Sequence, residues 1–175
     1  LSFLMSGAAN VLPQLQFAHE PAGRKTGLLS LALVVSTLAA VAGVLLARRW
    51  TPRRGAVTLG LGAVPLLTLA LLQAPGATAF IALLVLLQFA DNLLLHRLDE
   101  AAVARAGAWR RFNDTASNTA RLAGMLAAPA CFTLLAGSTA ELALVAVLGL
   151  GAVAGGWWLL RLPAAQATPP GAPQA

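Results

Sequence analysis

Charge is scarce in this chain. Of its 175 residues, 12 are Lys or Arg and 6 are Asp or Glu, together 10%. A soluble domain covers its surface with about a quarter charged residues, so this composition argues against a water-soluble globule. Cysteine occurs once, at Cys131, which excludes an internal disulfide and leaves a small apolar role for that side chain. Tyrosine is absent, and the two histidines, His19 and His96, lie far apart in the chain. No HExxH, CxxC or GxSxG motif occurs. So few nucleophiles, bases and ligands give little to a hydrolytic or metal site, and no enzyme activity, cofactor or metal is expected.

What is abundant is apolar length. Hydrophobic residues make up 58% of the chain, and the mean hydropathy is +0.77. A helix needs about 20 apolar residues to cross a hydrocarbon core. Five segments meet or approach that length, at 27–47, 55–72, 76–95, 115–136 and 139–160. A sixth, 1–17, is slightly short and opens with Leu1, and reads as the cut end of a longer helix, so that the chain reads as a fragment. It lacks the basic leader and small-residue cleavage site of a signal peptide. The predicted fold class is all-α, a polytopic membrane protein with six transmembrane helices over residues 1–162. A Pro- and Ala-rich stretch, 163–175, is expected to be a disordered tail or linker.

The basic residues explain themselves by position and not by nucleic acid. If each segment spans once, nine of the 12 fall on one side: Arg48, Arg49, Arg53, Arg54, Arg97, Arg105, Arg110, Arg111 and Arg161. Arg24 and Lys25 fall on the other, where the breaks at 19–26, 73–75 and 137–138 also lie, and Arg121 is inside a segment. The positive-inside rule puts the Arg-rich side and the C-terminal tail in the cytoplasm. The expected location is the plasma (inner) membrane. His19 and His96 then face opposite sides and cannot share a metal ion. Trp157 and Trp158, beside Arg161, suit an interfacial anchor. The stretch 96–113 is expected to form a short amphipathic surface helix, with Asp114 or Thr115 capping the next segment.

Polar residues inside the segments mark the candidate site, because each must find a partner or a cavity. Asn10 and Gln14 are one helical step apart and share a face, either for helix–helix hydrogen bonding or to line a pathway. Gln88, Asp91 and Asn92 cluster near the Arg-rich end of the fourth segment, and Asn118 and Arg121 near the same end of the fifth. Antiparallel neighbours bring Asp91 and Arg121 to similar depth, as a structural ion pair or as a gating or proton-coupling pair. Ser36/Ala40 and Ala39/Gly43 are spaced to let another helix approach closely, and Pro65 predicts a bend in the third segment. Two motif hits carry nothing. Gly23-Arg24-Lys25-Thr26 lacks the Gly that a phosphate loop needs before its Lys, and the sequon at Asn113 lies on the cytoplasmic side.

The stretch Gly43-Val-Leu-Leu-Ala-Arg-Arg-Trp-Thr-Pro-Arg-Arg54 resembles the loop signature of the major facilitator superfamily, a Gly followed by basic residues that begin at Arg48. Ala47 stands where that signature has an acid, Trp50 where it has a Gly, and two extra residues precede Arg53 and Arg54. Gly124, Ala128 and Pro129 loosely resemble the small-residue and Pro signature of antiporter members. The resemblance covers nearly the whole chain and implies one six-helix repeat, a half bundle of that family. It implies a secondary active transporter moving a small solute by alternating access, with proton coupling as a family habit. Asn10, Gln14, Gln88, Asn92 and Asn118 would line the pathway, and Asp91, Arg121, Gly43 and Arg48 would gate or couple it. The implied partners are the lipid bilayer, a small-molecule substrate and a second six-helix repeat of the same polypeptide, with no nucleic acid. The alternative is a non-transporting membrane scaffold, or an assembly or sensor protein, on the same helices.

Overall fold

A computed structural model describes residues 7–49, 54–106 and 110–161, and among them there is helix and tight turn but no strand. A π-helical turn, Gly7–Val11, runs into a one-turn helix α1 (Leu12–Gln16). Five long helices follow: α2 (Ala22–Arg49), α3 (Arg54–Leu72), α4 (Ala77–Ala106), α5 (Arg110–Leu135) and α6 (Thr139–Arg161). Three of them contain stretches long and apolar enough to cross a membrane: Ala22–Arg49, Ala77–Arg105 and Thr139–Arg161. This is an all-helical chain with the marks of a membrane protein. Shorter apolar stretches lie at Ala56–Leu72 in α3 and Leu122–Leu135 in α5.

α2 buries small residues and exposes large ones, the reverse of a soluble core. On α2 the buried residues are Ala32, Ser36, Ala39, Gly43 and Ala47. Leu33, Val34, Leu38, Val41, Leu45 and Leu46 are exposed. Lipid is as apolar as leucine, so burying leucine between membrane helices gains little, whereas small side chains let backbones approach. This stripe seats α2 on α4. A Cβ on Gly43 would lie 2.5 Å from the Phe89 carbonyl oxygen and 3.2 Å from the Leu93 nitrogen. The α3–α6 seam uses the same device. Gly149 admits Pro65, and Gly156 admits Leu61. The helix continues through Pro65, whose ring packs into the space that the glycine leaves.

These contacts set directions. Along α6 from Gly149 to Gly156 the partner in α3 moves back from Pro65 to Leu61, so the two run antiparallel. Leu98 lies by Gly156 and Arg105 bonds Leu160, so α4 and α6 run parallel. Leu84 shares a cavity with Ala32 and Ser36, and Gly43 meets Phe89, so α2 and α4 also run parallel. Arg48, Arg49, Arg97, Arg105 and Arg161 therefore gather toward one end. α5 is set apart. It seats mainly on the Gly7–Val11 turn, where Gly7 lies against the Phe132 ring. Phe17 meets Phe80 edge-on, ring centroids 5.5 Å apart, and fixes the end of α1 to the start of α4.

Several expectations change. The surface helix expected at 96–113 does not exist as a separate element. Residues 96–106 continue α4, because Leu, Ala, Glu and Arg are strong helix formers and Glu100 pairs with Arg97 at 2.6 Å. Asp114 and Thr115 do not cap α5, which already begins at Arg110. The outward break expected at 19–26 is shorter, since α2 starts at Ala22. The described part of the first segment is not one continuous α-helix but a π-turn joined to a short helix that carries Pro13. The stretch 163–175 and the basic loop residue Arg53 lie outside the described residues.

Candidate functional site

The seam between α2 and α4 holds the polar interior. At one level a cavity of about 210 Å³ is bounded by the N-terminal element, α2 and α4. Asn10 and Gln14 line it, one helical step apart as the sequence places them, and Ser36 faces them from α2. Pro13, Leu29, Leu33 and Leu84 supply apolar walls. Both amides are exposed, so their donors and acceptors are open to a ligand or to water. The Ser36 hydroxyl donates to the Leu33 carbonyl at 3.1 Å, which leaves its oxygen lone pairs turned to other donors.

One helical turn beyond Leu84 along α4 begins the second polar group. Gln88, Asp91 and Asn92 are three and four residues apart and share one arc of the helix. Gln88 is 7% exposed and Asp91 2%. Asn92 is half-buried, and its Nδ2 donates to the Gln88 carbonyl at 2.8 Å. Gly43 stands directly opposite, against Phe89, Asn92 and Leu93, so it brings the α2 backbone against this arc. An acid buried in an apolar helix is costly, which makes Asp91 a candidate site residue.

The remaining expected residues are placed differently. Arg48 is exposed in the last turn of α2, and Gly43 belongs to a helix crossing and not to a loop. Asn118 is exposed on α5. Arg121 lies in α5, and its side chain is outside the described residues, as is any pairing with Asp91. Cys131 is half-buried on α5. Among the described residues no group of three or more His, Cys, Asp and Glu side chains gathers into a metal site.

Three residues of consequence were not singled out from the sequence. Ser36 was read only as small, since an Ala-rich helix does not reveal which of its small residues meets a cavity. Glu141 is buried at the start of α6, where its Oε2 accepts from the Gly137 N–H at 2.9 Å and its own N–H donates to Ser138 Oγ at 3.3 Å. The Ser138-x-x-Glu141 spacing of a capping box carried that signal. Arg105 donates to the Ala101 carbonyl at 2.9 Å and to Leu160 at 3.3 Å, and so ties the ends of α4 and α6. Comparison with protein-family models, curated proteins and solved structures finds no match to this chain.

Proposed function

We propose that this chain is one six-helix repeat of a secondary active transporter of the major facilitator type, which moves a small solute by alternating access. The observation that carries this reading is the burial of Asp91 and Gln88 inside a helix of spanning length, on the α2–α4 seam that also holds the Asn10–Gln14–Ser36 cavity. A helix that only anchored the chain would gain nothing from an interior acid. The helix pairing supports the same reading. Exchanging the first three helical segments with the last three carries the α2–α4 contact onto that between α5 and the N-terminal element, and the α3–α6 contact onto itself. Nested three-helix repeats of this kind belong to each half of a major facilitator.

In this reading the protein is multi-pass in the plasma membrane, with its Arg-rich ends and its C-terminal tail cytoplasmic. A second six-helix repeat closes the pathway opposite the cavity. Asn10, Gln14 and Ser36 offer neutral hydrogen-bonding groups to the solute. Gln88, Asp91 and Asn92 form the inner gate, with Asp91 as the group that carries a coupling proton and Arg121 as its counter-charge. Rocking of the two repeats about this seam exposes the cavity to one side and then the other.

Solvent access tests this without a known substrate. Single cysteines at Asn10, Gln14 and Asn92, in a Cys131→Ala background in native membranes, are treated with a membrane-impermeant maleimide. All three are expected to react much faster than a cysteine at Leu126, which is exposed midway along the apolar stretch of α5. Rates as slow as that of the Leu126 variant, from both sides of the membrane, would sink the transporter reading in favour of a packed, non-transporting scaffold.

A further inference from the structure

The lining of the cavity between the N-terminal element, α2 and α4 limits what it can hold. Its polar groups are Asn10 and Gln14 on one side and Ser36 on the other, and the rest of its described wall is apolar, with Leu29 and Leu84 the most covered of the large side chains. None of the described lining residues is charged. Glu20, beyond the end of α1, is engaged by Arg24 at 3.4 Å. Lys25 precedes Leu29 by one helical turn, and Asp91 follows Leu84 by seven residues, roughly 6 and 10 Å along their helices. Neither lines the cavity. A charged solute would therefore give up part of its hydration there without meeting a counter-charge, a cost that neutral amides do not offset.

The hydrogen-bonding pattern narrows the class further. The Ser36 hydroxyl proton is committed to the Leu33 carbonyl at 3.1 Å, so toward a solute its oxygen acts as an acceptor. The α2 side thus asks the solute for a donor. Asn10 and Gln14, exposed on the facing element, each offer donors and an acceptor. A solute that satisfies both sides carries an N–H or O–H and an oxygen acceptor along one edge, with an apolar body against Leu29 and Leu84. A primary carboxamide on a small apolar group is the simplest molecule of this kind.

We propose that the Asn10–Gln14–Ser36 cavity selects a small uncharged solute with a carboxamide-like edge, a donor beside an acceptor, on an apolar body. This rests on the transport reading, since it takes the cavity as the seat of the solute. Ser36 is the residue that requires the donor, and the missing charge is what rejects ions.

The test uses four probes of nearly one shape: benzamide, acetophenone (which lacks the donor), benzoate and benzamidinium. A reporter cysteine, Ala9→Cys in the Cys131→Ala background, sits in the wall and leaves the three polar groups intact. Its reaction with a membrane-impermeant maleimide is followed in native membranes at rising probe concentration. Benzamide is expected to slow labelling saturably. Benzoate and benzamidinium should need about tenfold more, as a partly dehydrated charge without a counter-ion predicts. Acetophenone should need about fivefold more, the loss of one neutral hydrogen bond. Gln14→Glu should turn the preference toward benzamidinium, and Ser36→Ala should erase the gap between benzamide and acetophenone. A reporter that reacts but is not slowed by benzamide, or is slowed as well by either ion, overturns the proposal and leaves the transport reading standing. An unchanged ranking of the probes in both the Gln14 and Ser36 variants also overturns it, since the probes would then bind elsewhere. A reporter that does not react even without probe would mean a cavity closed to water, and both readings would fall together.

Discussion

The seam between α2 and α4 and the seat of α5 are built on opposite plans. The α2 face is small from end to end, so its backbone lies against α4 over much of its length, and polar groups are buried along the line of contact. Among the described residues of α5, Ala128 and Phe132 are fully buried and Leu122, Met125, Leu126 and Leu134 are exposed. In lipid, packing and interhelical polar contacts hold helices together, and apolar burial contributes little. The first plan therefore gives a tight, specific crossing. The second seats the described part of α5 through Ala128 and through Phe132 under Gly7, and leaves several of its large side chains exposed. The candidate site lies on the tight seam. Its polar groups are positioned by backbone contact and not by the looser helix beside them.

The largest expected effect comes from breaking the tight seam. A Cβ at Gly43 would already sit 2.5 Å from the Phe89 oxygen, and a backbone atom cannot rotate aside as a side chain would. Gly43→Leu should separate α2 from α4 at a cost of about 3 kcal/mol, the upper end for overpacking. It should also expose Gln88 and Asp91. Gly151 has nothing within 4 Å of a Cβ, so Gly151→Ala should lose no stability and gain a few tenths of a kcal/mol from helix propensity. Thermal unfolding of both variants in the same detergent checks the contrast. Equal midpoints for the two would mean that the α2–α4 approach does not hold the fold together.

A middle effect is expected at the loose seat. Phe132 is fully buried, and its ring occupies the space that Gly7 leaves. Phe132→Ala should cost about 2 kcal/mol, less than the usual loss for a buried aromatic in water, because lipid solvates what is uncovered. Amide hydrogen exchange should rise across α5 and the N-terminal turn while α2 and α4 keep their protection. A rise spread evenly over all helices would merge the two seams into one cooperative unit and remove the distinction drawn between them.

Much of this architecture was legible in the sequence, for specific physical reasons. Apolar length and the arginine spacing located α2 through α6 to within a few residues at most ends, because those signals are local. Asn10 with Gln14, and Gln88 with Asp91 and Asn92, were legible as groups because residues three and four apart share a helical face. The end of α4 was misplaced, although Leu98, Ala101, Ala102 and the Arg97–Glu100 pair all favour helix through Ala106. Charge density was taken there for a break. The pairing of Arg105 with Leu160 spans 55 residues of sequence, and no local pattern encodes it. The same holds for Gly149 with Pro65. Which glycine of Gly149, Gly151, Gly155 and Gly156 faces inward depends on where α3 lies, and that is decided by tertiary packing.

The smallest predicted loss concerns the turn that joins α5 to α6. Gly137 takes a left-handed φ of 72° and ends α5, a conformation that costs a side chain little only at glycine. Ser138 then starts α6. Its Oγ accepts from the Glu141 N–H at 3.3 Å and donates to the Leu135 carbonyl at 2.6 Å, so one hydroxyl serves the end of one helix and the start of the next. Ser138→Ala removes both bonds and should cost about 1 kcal/mol, the ordinary value of an N-cap. Ser138→Thr keeps the hydroxyl and should restore most of it. The loss should appear as faster exchange at the amides of 139–142 and at the C-terminal end of α5, with the α2–α4 seam unchanged. A midpoint for Ser138→Ala equal to that of the parent would mean that the turn is held by chain connectivity alone, and that α5 and α6 keep their angle without the cap.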